Sequence, residues 1–140
     1  MKYDEFIEEV RKLAQLSSNE EAVRATKATL EALAEYLTWK ERHDAASQLP
    51  QRIKDFIKKP AVKPPVIADR HFTIVDQFVH HVSVLERVPP DVAYKHANAV
   101  LKVFREALSK GEFEDIREEL PAELYNEFFA DADHPAKAQS

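Results

Sequence analysis

Thr38-Trp-Lys-Glu41-Arg-His-Asp44-Ala-Ala-Ser-Gln-Leu49-Pro50 returns 71 positions later as Ser109-Lys-Gly-Glu112-Phe-Glu-Asp115-Ile-Arg-Glu-Glu-Leu120-Pro121. A hydroxyl residue followed three positions later by glutamate marks a helix start. The side-chain oxygen accepts a hydrogen bond from an amide that the first helical turn leaves unpaired. One copy writes this cap with threonine and the other with serine, so the helix start is kept while its chemistry varies. The Leu-Pro that closes each stretch predicts another helix beyond it, because the missing N–H of proline is no loss in a first turn.

The repetition extends in both directions. Phe6, Val10 and Leu13 match Phe78, Val82 and Leu85; after a one-residue deletion in the loop at Ser17–Glu21, Ala22, Ala28, Leu30, Glu35 and Leu37 match Ala93, Ala99, Leu101, Glu106 and Leu108. Each copy reads as four helices. Phe6, Val10, Leu13 and Leu16 form the apolar stripe of the first, at spacings of three and four. Ser18, three residues before Glu21, opens the second, whose stripe runs from Ala22 to Leu37. Ile53, Phe56 and Ile57 are the apolar positions of the short fourth helix, matching Leu124, Glu127 and Phe128. Ile74-Val75 and Val82-Ser83-Val84 have strand-like composition, but their match to the first copy places them in a helix.

The expected fold is therefore all-α, with two tandem four-helix repeats packed about a pseudo-twofold axis into one helical bundle. Residues 1–58 form the first repeat, 59–71 a basic linker carrying Pro60, Pro64 and Pro65, 72–129 the second repeat, and 130–140 a flexible tail. Neither repeat alone has the apolar content for a large core, which is the reason to expect that they pack on each other.

The composition narrows the function classes. With no cysteine among 140 residues, disulfides, thiolate metal sites and a cysteine nucleophile are excluded. The opening Met1-Lys2-Tyr3-Asp4-Glu5 is charged and lacks a signal-peptide core, and no apolar run approaches a bilayer span, so a cytoplasmic protein without membrane contact is expected. A net charge of −5 argues against nucleic acid as partner, because phosphate binding needs a concentrated positive field. One glycine cannot build a phosphate loop, and no serine sits in a nucleophile elbow. No cofactor is expected.

Leu33-Ala-Glu-Tyr-Leu37, Thr38-Trp-Lys-Glu41 and Asp44-Ala-Ala-Ser-Gln-Leu49-Pro50 resemble the repeat of a bacterial family known as domain of unknown function 2267. Phe104-Arg-Glu-Ala-Leu108, Ser109-Lys-Gly-Glu112 and Asp115-Ile-Arg-Glu-Glu-Leu120-Pro121 are similar to it as well. The resemblance covers nearly the whole chain except the tail. It implies a small all-helical protein of unassigned activity and carries over no catalytic residue. The chain departs from the family pattern in its linker, which lacks aromatic residues, and at Lys40, where a glycine often stands.

Few residues carry candidate chemistry. His81 and His96 fall on two helices that the Val88-Pro89-Pro90 joint should fold antiparallel, at matching heights. They are the candidate metal ligands, for zinc, nickel or copper, with a third donor from Glu86, Asp76 or Gln77. The plainer alternative is a boundary histidine with one satisfied nitrogen and a solvated neighbour. His43 and Asp44 are sequence neighbours about 100° apart on a helix and make no acid–base dyad. Trp39, the single tryptophan, is the candidate interaction residue, since tryptophan is enriched in interface hot spots. Its commoner role is to cover a helix junction.

The two copies share core and cap positions and no reactive group, so the leading expectation is a non-enzymatic helical interaction module that binds another protein or itself. The alternative is a metal- or small-ligand-binding protein using His81 and His96. An enzyme with a site between the repeats stands third.

Overall fold

The structure, a computed structural model, describes residues 1–60 and 71–130. These residues form eight helices and no strand: α1 (Tyr3–Leu13), α2 (Asn19–Ala34), α3 (Trp39–Ala46), α4 (Ile53–Lys58), α5 (Ile74–Glu86), α6 (Pro90–Ala107), α7 (Lys110–Glu119) and α8 (Ala122–Phe128). The all-α reading is correct. Most of the expected linker and the tail from residue 131 lie outside the described residues. No helix among the described residues is long and apolar enough to cross a membrane.

The starts of α2, α3 and α7 are the expected ones. Ser18, Thr38 and Ser109 each accept a hydrogen bond from the backbone amide three residues on. Glu21 does not close a box with Ser18; its carboxylate accepts from the Ser17 amide and hydroxyl instead. The closed capping box is at α5, where Thr73 and Asp76 exchange two bonds of 3.0 Å.

Three details differ from the sequence reading. Pro50 does not open α4. Arg52 adopts a left-handed φ of 76°, and the helix begins at Ile53. That conformation costs a non-glycine residue roughly 1–2 kcal/mol, which the Arg52 guanidinium offsets in part by lying 4.5 Å over the Tyr3 ring. Pro121 precedes α8 as its cap residue. Leu13 is 48% exposed, and Ile7 fills the stripe in its place beside Phe6 and Val10. α1 ends at Leu13 and the chain turns away through Gln15 at a φ of 55°. The same left-handed turn follows α5 at Arg87, the position equivalent to Gln15.

The long helices α2 and α6 form the middle of the bundle. α2 packs on α1, α4, α5 and α6, and α6 on α1, α2, α5 and α8. Alanines at 22, 25, 28 and 32 on α2 and at 93, 97 and 99 on α6 are buried, letting neighbouring helices approach closely. Helix α1 thus also contacts α6, and α5 contacts α2, so the buried residues form one cluster that draws on both halves of the sequence. α3 rests on α4 and meets α7, and both join the same core through Ala45, Ala46, Phe113 and Ile116.

Candidate functional site

The α3–α7 crossing joins the two copies of the stretch that opened the sequence reading. Thr38 caps α3, and its own amide and hydroxyl donate to the two carboxylate oxygens of Glu119 at 2.7 and 2.9 Å. Ser109 caps α7, and its amide donates to Oε1 of Gln48 at 2.7 Å while Nε2 of Gln48 donates to the serine hydroxyl at 3.2 Å. Gln48 and Glu119 hold equivalent positions, so each copy straps the helix cap of the other. Thr38→Ala removes the cap and the hydroxyl bond to Glu119, keeps the backbone amide bond, and should cost about 1–2 kcal/mol in urea unfolding, whereas Thr38→Ser should cost a few tenths.

With the cap amides bonded across the crossing, the glutamates at the third position of each helix turn inward. Glu41 and Glu112 are only 7% and 8% exposed. One oxygen of each, Oε2, is buried without a hydrogen-bond partner. The Glu112 carboxyl is pushed up to about 8, first by burial, then by its hydrogen bond to Glu41 and by the negative charges of Glu41, Asp44 and Asp115. At neutral pH the crossing therefore holds one proton between two carboxylates, an arrangement forced on like charges that are buried together. Asp44 is held at 2.8 Å by Lys40, and Asp115 is exposed.

Trp39, the first residue of α3, is 66% exposed. Its indole stacks on His43, with ring centroids 4.1 Å apart. It therefore does not cover the helix junction. The tryptophan is a supported aromatic surface on a helix whose start is tied down twice, by its own cap and by Glu119. Two surface clefts lie elsewhere. One of about 330 Å³ is lined by Phe72, Val75, Val79, His80 and Tyr94, and one of about 410 Å³ by residues of α1 and the start of α2. Neither reaches Glu41 or Glu112.

The family model for DUF2267, an uncharacterized conserved protein, matches residues 3–127. The chain belongs to this family. No curated protein matches it. The DUF2267 match spans the eight helices except Phe128, the last residue of α8, and leaves out Lys2, the cap residue of α1, so the α3–α7 crossing falls inside the family's extent.

In this DUF2267 fold His81 and His96 both lie buried, on α5 and α6. Nδ1 of His96 is hydrogen-bonded to Oε2 of Glu86, which is itself buried. Burial pushes the Glu86 carboxyl up, opposed by that hydrogen bond and by the charges of His96 and Arg24. Asp76 and Gln77 are exposed, and Asp76 serves the cap of α5. Glu86 is thus the suggested third donor that the fold brings to His96. Among the described residues the set of three ligand-type side chains with donor atoms within 4.8 Å of one another is not this one; it is Glu41, Glu112 and Asp115.

Those carboxylates escaped the sequence reading because a glutamate three residues after a cap reads as part of the cap, and other glutamates read as solvated faces. The available clue was the duplication of Glu41 and Asp44 as Glu112 and Asp115. Two equal copies that pack through equivalent helices bring equivalent acids together.

Proposed function

We propose that the protein is a non-enzymatic helical interaction module made of two four-helix units related by a pseudo-twofold axis through the α3–α7 crossing. It presents Trp39 to a protein partner. The reciprocal cap bonds, the paired left-handed turns at Gln15 and Arg87, and the contacts of α1 with α6 and of α5 with α2 support the symmetry. The observation that carries the interaction is the exposure of a rigidly supported indole, because an aromatic anchor that loses little conformational freedom on docking is the usual core of a hot spot. α7, which meets α3, adds Glu114 and Glu118, so the partner offers an apolar pocket for the indole with basic groups at its rim. The strongly perturbed Glu41–Glu112 pair lines neither of the two clefts described above, which favours binding over catalysis. The reading extends to a cytoplasmic protein that works without nucleic acid or cofactor.

The test is capture from host lysate with tagged wild-type, Trp39→Ala and Leu13→Ala proteins, quantified by mass spectrometry. Trp39→Ala should leave stability within about 0.5 kcal/mol, as for other surface substitutions, and abolish a stoichiometric capture that Leu13→Ala retains. Capture that is indifferent to Trp39, or equally lost with Leu13, contradicts the assignment. Recovery of the chain itself as the captured species identifies self-association.

A second reading has one observation in its favour. The contact of His96 with a buried carboxylate is the arrangement that orients a metal-bound imidazole. A metal site on His81 and His96 requires zinc, nickel or copper to raise the melting temperature of the wild type and not of His81→Ala.

A further inference from the structure

We propose that the α3–α7 crossing binds a calcium-sized divalent cation through Glu41, Glu112 and Asp115. This goes beyond the interaction reading and does not depend on it.

Three observations lead there. The donors are all carboxylate oxygens, which suit a hard cation and not zinc or copper. Their ligand atoms lie within 4.8 Å of one another. That closeness lets one ion touch all three, and three carboxylates in one site suit calcium, because magnesium usually takes one or two and keeps most of its water. Independently of that proximity, hydrogen-bond accounting leaves Oε2 of Glu41 and Oε2 of Glu112 buried with no partner, on side chains more than nine-tenths buried. Buried acceptors in folded proteins are normally satisfied; one shared proton leaves this pair short of partners, and a cation between the helices, taken up as that proton leaves to solvent, would satisfy both oxygens at once. The lysine next to the cluster, Lys40, is committed to Asp44.

The burial gradient gives the ion a way in. Asp115 is exposed, whereas Glu41 and Glu112 lie beneath it, so one ligand stands at the surface and two inside. Three side chains leave the remaining positions of a six- to eight-coordinate ion to water. The ligands come from both halves of the chain, so the bound ion would lock α3 to α7.

The experiment uses the full chain, stripped with chelator and titrated at neutral pH with calcium, magnesium or manganese chloride. Calorimetry and melting temperature are read in parallel. The expected result is one calcium per chain, bound more tightly than magnesium, with a rise in melting temperature that grows with calcium concentration. Asp115→Asn alters an exposed side chain, should fold as the wild type does, and should weaken calcium binding about tenfold or more. Glu112→Gln should abolish it, and Asp4→Asn on α1 should leave it unchanged. Trp39→Ala should bind calcium as the wild type does, which separates this site from the docking surface. No stabilisation by millimolar calcium overturns the proposal. So does equal weakening by Asp115→Asn and Asp4→Asn, which would mark diffuse attraction to an acidic surface.

Discussion

His96→Ala is expected to destabilise the protein by about 3–5 kcal/mol, the cost of removing one member of a buried, hydrogen-bonded pair and leaving the other without its partner. The stranded group is Glu86. Its carboxyl is 5% exposed, its Oε1 already lacks a hydrogen bond, and Oε2 is the atom that meets Nδ1 of His96. Arg24 contributes attraction to Glu86 and Glu21 repulsion, both through charge alone, so neither replaces the lost bond. The deficit should shrink in acid. Burial already raises the Glu86 carboxyl, and its protonation removes the buried charge. The paired change Glu86→Leu with His96→Leu should recover most of the loss, because two apolar residues of similar volume need no partners. Urea unfolding of the two variants and the wild type checks this through their midpoints at constant slope. A loss under about 1 kcal/mol for His96→Ala would mean that the pair contributes packing and little else.

Stability should fall as pH rises through about 8, and Glu112 should be the cause. Its folded-state carboxyl sits at about 8 against an ordinary value of 4.5. A group raised on folding favours the native state fully below its unfolded value, and that contribution is lost as pH passes the folded one. The window therefore opens near 4.5 and closes near 8, with the protein less stable on the alkaline side. Losing the shared proton leaves two buried carboxylates facing each other. Leaving a buried hydrogen bond unmade costs about 1–3 kcal/mol, which for a chain of this size is a fall in melting temperature of several degrees. Glu112→Gln replaces the protonated carboxyl by an amide that can still donate to Glu41. It should match the wild type near pH 6 and lose the Glu112 contribution to the alkaline decline. Melting curves in chelator, from about pH 5 to pH 9, make the comparison. Parallel curves for wild type and Glu112→Gln would remove Glu112 as the cause.

The sequence and the structure part company at instructive places. Local chemistry was readable wherever a single residue governs a single turn. Thr38 and Ser109 mark two helix starts, Ser18 a third, and Phe6 and Val10 a buried stripe. Helix α5 was readable, despite Val82-Ser83-Val84, only because its counterpart in the first copy is helical. Pro50 misled because α4 packs on α2 and α3 and the left-handed turn at Arg52 places its first residue at Ile53. Leu13 belongs to the right period, but its helix ends before the neighbour that would have buried it. At the site, His81 lies in the interior, where the sequence had placed it at the edge of its stripe, while the partner of His96, Glu86, was one of three suggestions that sequence spacing could not rank. The Glu41–Glu112 pair depends on how two halves of the chain dock. Nothing local distinguishes Glu41 from Glu21, which also follows a cap by three residues and yet faces Ser17 at the surface. The duplication of Glu41 with Asp44 held the information, and the packing of α3 on α7 releases it.

Glu112 faces Glu41 across the α3–α7 crossing and keeps its proton at neutral pH. The most direct measurement follows the side-chain carboxyl resonances of both glutamates by carbon-detected NMR in metal-free buffer, from acid to above pH 9. The Glu112 carboxyl should titrate near 8, far above its ordinary value of 4.5. Both carboxyls titrating together near 4.5 would place them in solvent and contradict it.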